Sequence, residues 1–474
     1  MTSNIPHYQS LVTFQNSQGE AARGTLLKLD RNTIVFEVYN PYSIVQLSEV
    51  LTDLIIRRGA DPIYQGRAVV SNLVNTGLML IVSASFADPW VQASPRFEGK
   101  VDSFRREAES FLTQWELINH IQDPYRVAVA ALRSYLSELN QWLQRIEAEN
   151  EELVAQVFST YDRLLDFAGP LVERILALHE TFEQVAESVG ARELLVHKSF
   201  AQRELHPLLL AAPYAYRTFT KPLGYAGDYE MMNMTHREAP EGASAYAKLV
   251  NAAYIRLPIA QCVRNRVRSL QDYLDAGVAL TARAGRPYRA MSIGCGPAVE
   301  VQRFIRSNSL AGQTQFRLLD FNAETLDYAR SMIESAARDT GRQPKVSYVH
   351  DSVHSLLKSA TAMSRNDLSG HFDFVYCAGL FDYLSDRVCA RLLRLFFSWL
   401  VPGGTLLATN MHECARDRYV LEHLADWYLI YRNEEQMMEL IPGLGLQRTF
   451  TDETGINLCL EVRNDLDLRS AARH

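Results

Sequence analysis

The sequence predicts a multidomain α+β protein, with a small N-terminal β-barrel, an α-helical middle, and a C-terminal α/β domain whose parallel sheet ends in an antiparallel hairpin. Three observations predict it. Residues 10–90 run as short alternating segments broken by turn residues. Residues 97–205 carry apolar side chains at steps of three and four. From about residue 285, strands and helices alternate in order. The expected divisions are 1–96 (barrel), 97–205 (helical linker and dimerisation region), 206–284 (helical cover over a site) and 285–474 (α/β domain). A chain of 474 residues exceeds what one hydrophobic core usually serves.

In the first part, "GTLLKLDRNTIVFEVY" offers two strands around Asp30 and Asn32, and "YQGRAVVSNLVNTGLMLIVSASF" offers two more around Asn75 to Gly77. The arrangement resembles a PilZ domain, a bacterial module that often binds cyclic di-GMP through an RxxxR arm and a (D/N)xSxxG turn. Here Arg23 stands alone, Arg57 and Arg58 are adjacent, and "LDRNTIVF" lacks the serine and glycine. Phosphate recognition needs paired guanidinium forks. A structural or dimerising module is therefore expected rather than a nucleotide receptor.

The second part places Leu132, Leu136, Leu139, Leu143 and Ile146 on one helical stripe. Pro124 suits a first turn, and Gly169-Pro170 reads as a stop. A second helix, "LVERILALHETFEQVAESVG", ends at Gly190. Long amphipathic helices bury their stripes on one another or on a second subunit, so a homodimer through this region is expected.

Totals narrow the function classes. A net charge of −7, without a basic tract interleaved with aromatics, gives no general attraction to nucleic acid. No apolar run is long enough for a membrane span, and the N-terminus lacks the pattern of a signal peptide. The six cysteines form no CxxC pair, so no metal cluster is expected and a cytoplasmic setting fits.

In the α/β part, "SIGCGPAVEV" follows a strand and opens a helix. Gly294 and Gly296 permit a tight bend and close approach of a ligand beside the helix N-terminus. Asp320, 24 residues after Gly296, ends the next strand in "RLLDFN", where a carboxylate can accept ribose hydroxyl hydrogens. Asp351 ends the third strand in "VSYVHDS". Dinucleotide oxidoreductases share the first two features, but Ala298 and Glu300 replace the usual third-glycine spacing and no second nucleotide half follows.

With "FDFVYCAGLFDYLSD" and "LVPGGTLLATN" added, residues 289–463 resemble a class I S-adenosylmethionine-dependent methyltransferase with its Rossmann-like sheet. The resemblance implies S-adenosyl-L-methionine as cofactor. It implies Gly294, Cys295 and Gly296 along the methionine half, Asp320 on the ribose and Phe321 against the adenine. Asp351 and Ser352 would take the adenine edge, and Tyr376, Cys377 and Ala378 would face the sulfonium. Ser292 stands where many members carry an acid.

The segment before the glycine turn commonly wraps over the cofactor in this family. "TKPLGYAGDYEMMNM" suits such a cover: Gly224 and Gly227 bend, while Tyr225, Asp228 and Tyr229 supply hydrogen-bonding groups. Asp228 is also a candidate for the acid missing at Ser292. Met231, Met232 and Met234 would add an adaptable apolar wall. If the acceptor needs a base, Tyr225, Tyr383 and His412 are the candidates. Tyr229, Trp427, Tyr431 and Arg432 would wall an acidic, apolar acceptor.

The combination of a helical half and this catalytic half resembles the methyltransferases that make 3-hydroxy fatty-acid methyl esters as quorum-sensing signals. That implies carboxyl O-methylation of a small-molecule acceptor, a fatty acid. The alternatives are a small-molecule N- or O-methyltransferase of specialised metabolism, and a cyclic di-GMP-responsive protein whose methyltransferase fold only senses the cofactor.

Overall fold

The computed structural model describes residues 11–465 apart from 30–32, 40–44, 59–60, 76–78, 89–103, 106–107, 110–111, 113–119, 191–192, 354 and 358–367. The turns expected at Asp30–Asn32 and Asn75–Gly77, and most of residues 97–119, thus fall wholly or largely outside the described residues.

The N-terminal part is a closed six-stranded barrel in the order β1-β2-β3-β6-β5-β4. Its strands are β1 (Leu11–Gln15), β2 (Ala21–Leu29), β3 (Thr33–Tyr39), β4 (Val50–Arg58), β5 (Asp61–Asn75) and β6 (Met79–Phe86). Alternation explains its core: Ile34, Phe36 and Val38 of β3 point inward with Val12, Phe14, Leu54, Ile56 and Val82. Closure leaves no long unpaired edge.

The helices are α1 (Asp123–Glu149), α2 (Glu151–Val157), α3 (Tyr161–Ala186), α4 (Leu194–Leu209), α5 (Pro213–Thr220), α6 (Tyr229–Arg237), α7 (Ala245–Ile255) and α8 (Pro258–Arg283). Pro124 sits in the first turn of α1. The expected stop at Gly169-Pro170 is absent, because α3 runs through both residues. Its stripe of Leu164, Ala168, Val172, Ile175, Leu178 and Phe182 is continuous across the proline and fully buried, and that packing outweighs one missing N–H. The break lies earlier, where Thr160 caps α3 by accepting from Arg163 N at 3.3 Å.

The described helices from Asp123 to the start of α8 share one core. Tyr125, Leu132, Leu136 and Leu139 share one core with Tyr214, Leu249 and Ile255, and with Val420, Leu421 and Leu424 from the C-terminal part. The leucine stripe of α1 is therefore spent inside the chain.

The C-terminal sheet has seven strands: β7 (Tyr288–Ile293), β8 (Thr314–Asp320), β9 (Lys345–His350), β10 (Phe372–Cys377), β11 (Leu400–Met411), β12 (Leu446–Thr451) and β13 (Asn457–Arg463). Their order is β12-β13-β11-β10-β7-β8-β9. All neighbouring pairs are parallel except those of β13, which runs antiparallel to both β11 and β12. Around the sheet lie α9 (Val299–Ser307), α10 (Ala323–Thr340), α11 (Asp386–Ser398), α12 (Arg418–Leu424) and α13 (Glu434–Glu439). After β9 the chain crosses back to the other side of β7, so the strand order reverses between β7 and β10. A crevice must open at their C-terminal ends.

The parts are joined by specific bonds. Val50 N donates to Gly224 O at 2.8 Å, and Ser48 Oγ donates to Tyr428 O at 2.9 Å. The Tyr428 ring packs into the barrel's core.

Candidate active site at the strand switch point

The crevice between β7 and β10 is a cavity of about 150 Å³. The glycine turn forms its floor. Gly294 and Gly296 hold φ of 67° and 52°, a region that side-chain-bearing residues avoid. A Cβ on Gly296 would meet nothing within 4 Å, so the bend borders open space. The amides of Gly294 and Cys295 both donate to Leu319 O, at 2.9 and 3.0 Å, and tie the bend to the end of β8.

Asp320 faces this bend. Its Oδ2 accepts from Gly296 N at 3.0 Å and its Oδ1 from Asn322 N at 3.0 Å, leaving one lone-pair position on each oxygen for a ligand. Burial pushes the carboxyl up, opposed by these backbone bonds. Phe321 lines the cavity with Tyr225 edge-on to it, the ring centres 5.0 Å apart. Opposite stand Ser292, Tyr376 and Glu300, with the Tyr376 hydroxyl donating to Glu300 Oε1 at 2.8 Å. Burial raises the Glu300 carboxyl.

Of the residues marked from sequence, Tyr225, Tyr229, Gly294, Cys295, Gly296, Asp320, Phe321, Tyr376, Ala378 and Tyr383 line this cavity. The Tyr229 hydroxyl donates to Glu324 at 2.7 Å, which with burial pushes it up to about 12. Burial likewise raises Tyr225 and Tyr383. Neither is a base near neutral pH.

Other expectations need correction. Asp228 is off the cavity wall: it caps α6 by accepting from Met231 N at 2.9 Å and pairs with Arg217 at 2.7 Å. The acid beside Ser292 is Glu300 instead. Cys377 points to the opposite face of β10 and packs in that core, because strand side chains alternate. Asp351 and Ser352 also lie off the wall: Asp351 Oδ1 accepts from Ser352 N at 2.9 Å, and Ser352 Oγ accepts from Ser355 N at 3.2 Å. His412 sits outside, its Nε2 against Glu434 at 3.2 Å and its Nδ1 accepting from Cys414 N at 3.1 Å. Tyr431 is half-buried beneath Arg418, whose guanidinium lies 4.8 Å from the ring centre. Arg432 is a structural pin: its guanidinium reaches Asp386, Asn410 Oδ1 and the carbonyls of Phe381 and Leu384 at 2.6–2.9 Å. A spent guanidinium cannot also receive an acceptor.

A second, apolar chamber adjoins the cavity. It is lined by Met231, Ile259, Met411, Trp427 and Leu429, and it shares Met232, Val263, Arg266, Gly379 and Tyr383 with the cavity. Trp427 donates through Nε1 to the Tyr383 hydroxyl at 2.9 Å. Buried Asp382 stands at the chamber's edge, accepting from Met411 N at 2.5 Å.

Arg266 was not marked from sequence. It is 8% exposed, yet makes no side-chain hydrogen bond or ion pair with any described residue. Its neighbour Arg264 is satisfied by Ile255 O at 2.7 Å and Gln261 Oε1 at 2.7 Å. The Arg266 guanidinium lies against Gly379, where a Cβ would come within 2.9 Å of Nη1. Its charge neighbours are the buried Glu300 and Asp382 carboxyls, raised by burial and drawn back down by Arg266 without a bond to either, so its donors remain open to a further anion. The signal was present in "CVRNRVRSL", where Arg266 interrupts an apolar face between Val263 and Val267. Gln46 and Leu47 of the barrel also border the cavity, another contribution that only the folded chain reveals.

No protein-family model and no curated protein matches the sequence. Among solved structures, a possible exported protein from Bordetella parapertussis is similar at 19% identity, over 62% of this chain and 96% of that one, with a TM-score of 0.41. Magnesium protoporphyrin IX methyltransferase from Synechocystis PCC 6803, solved with bound S-adenosylhomocysteine, is 12% identical over 44% of this chain and 86% of that one, with a TM-score of 0.31. The N-methyltransferase NodS from Bradyrhizobium japonicum WM9, also holding S-adenosylhomocysteine, is 16% identical over 43% and 87%, with a TM-score of 0.28.

Proposed function

We propose that the chain is an S-adenosylmethionine-dependent methyltransferase acting on the carboxylate of an apolar acid such as a 3-hydroxy fatty acid. The observation that carries this is one crevice holding a glycine bend, a buried acid facing it, and a guanidinium with no hydrogen bond to a described residue beside an apolar chamber.

The residues present fit the cofactor. Gly294–Gly296 leave room for its backbone-hugging half, Asp320 keeps lone pairs for ribose hydroxyls, and Tyr225 with Phe321 offers an aromatic wall for adenine. When bound, S-adenosylmethionine supplies an electrophilic methyl group. Arg266 holds the acceptor carboxylate, and Gly379 lets the guanidinium approach the β10 tip. A carboxylate is already ionised near neutral pH, so no base is required. That suits a lining whose His236 is pushed down to about 3 by burial and by Arg303, Arg266 and Arg264. Alignment then supplies the catalysis. The barrel is a structural module in this reading, since Gln46 and Leu47 help wall the cavity.

The test is transfer of labelled methyl to a 3-hydroxy fatty acid. The expected product is an ester cleaved by mild alkali. An alkali-stable product would favour a second reading, O-methylation of a hydroxyl with Asp382 as base, for which the raised Asp382 carboxyl at the chamber edge is the supporting observation.

A further inference from the structure

A third space is lined by Leu209, Tyr254, Leu257, Val420, Leu421 and Leu424. It shares Tyr214 and Ile259 with the apolar chamber. It shares His206 and Leu210 with an open depression on the outer face of α4. The spaces thus follow one another across shared walls, from the β10 tip through the helical core to the outer face of α4. Polarity changes along the row. At the inner end stand the Arg266 guanidinium, Asp382 and the Tyr383 hydroxyl. In the third space the polar side chains are those of His206, Thr218, Tyr214 and Tyr254. The Thr218 hydroxyl is already spent on Tyr214 O at 2.8 Å, and His206 Nε2 on Leu424 O at 2.8 Å.

We propose that this row is a channel for the unbranched aliphatic tail of the acceptor, and that the helical domain sets the length of acid the enzyme accepts. The inference rests on the methyltransferase reading and extends it. A charged head held at Arg266 and a tail with no hydrogen-bonding groups match the two ends of the row. Both chambers are narrow, with about 30 and 20 Å³ of free volume. The walls that must give are Met231, Met232 and Met411, unbranched side chains that repack at low cost. Tyr214 and Ile259, shared by both chambers, mark the point where a longer tail passes from one to the next. The arrangement also gives the helical domain a catalytic purpose, since its core would be completed by substrate.

The experiment is calorimetric titration of hexanoic, decanoic and tetradecanoic acids into the full chain, with and without S-adenosylhomocysteine. Affinity should climb along the series, by up to about fourfold per methylene. Leu424→Trp, which fills the third space, should weaken tetradecanoic acid by about tenfold or more and leave hexanoic acid unchanged. Ala425→Leu is a milder second variant in case the first does not fold, and it should act in the same direction. A flat series in the native chain, or tetradecanoic acid binding unmoved by a folded variant, overturns the channel. Failure of S-adenosylhomocysteine to bind, with the series still climbing, would instead overturn the methyltransferase reading and leave the channel standing.

Discussion

Arg266 and Gly379 make the sharpest prediction at the scale of single residues. Removing the charge in Arg266→Gln should raise KM for the acid about 10- to 100-fold, the worth of one charge-assisted hydrogen bond, with S-adenosylhomocysteine affinity unchanged. Equal losses for acid and cofactor would mean that Arg266 holds the methionine carboxylate instead. Gly379→Ala should mimic that defect without touching a charge, because its Cβ would crowd Nη1 and Nη2 from 2.9 and 3.0 Å and the backbone there holds φ 83°. Steady-state kinetics on the two variants checks both. Legibility was uneven at this scale. Glycines and acids at strand ends could be placed because the strand fixes where its last residue points. Cys377 could not, since one step along β10 turns a side chain to the other face. Asp228, Tyr431 and Arg432 carried suitable chemistry, but nothing local announced that Arg217, Arg418 and Asp386 engage them.

Among the elements, the residues just before β4 join barrel and site: Gln46 and Leu47 border the cavity, and Glu49 follows them. Glu49 is buried there, accepting from Ser17 N at 2.7 Å, Ser17 Oγ at 2.6 Å and Gln46 N at 2.8 Å. Burial raises its carboxyl from 4.5 to about 7. The folded state therefore holds the proton more tightly than the unfolded chain. The stabilisation is complete below pH 4.5 and is lost as pH rises through about 7. Glu183, raised from 4.5 to about 8 by burial, acts in the same direction. Glu49→Gln should flatten part of the fall in Tm between these limits, with Glu183 accounting for a remainder. An unchanged pH slope would mean that Glu49 is solvated. The strands and helices after residue 285 were legible because each is a short apolar run or a periodic stretch bounded by turn residues. The course of α3 through Pro170 was not, because long-range burial overrode a local breaker.

On the scale of the whole molecule, barrel, helices and sheet each contribute to one wall, so ligand binding should couple them. S-adenosylhomocysteine at about one hundred times its Kd should add about 2.7 kcal/mol of stability. In scanning calorimetry, the transitions of barrel and C-terminal domain should both move upward. A barrel transition that stays in place would show that Gln46 and Leu47 border the cavity without sensing its occupant. Sequence could not join the parts: Ser48 meets Tyr428 and Val50 meets Gly224 across 380 and 174 residues of chain.

The central claim is that the glycine bend after β7 and Asp320 at the end of β8 grip S-adenosylmethionine in the crevice beside β10. Equilibrium titration of S-adenosylmethionine into the native chain and into Asp320→Asn tests it most directly. One-site binding, weakened about tenfold or more by the substitution, is the predicted result. Absence of binding to the native chain, or equal affinity for both, would contradict it.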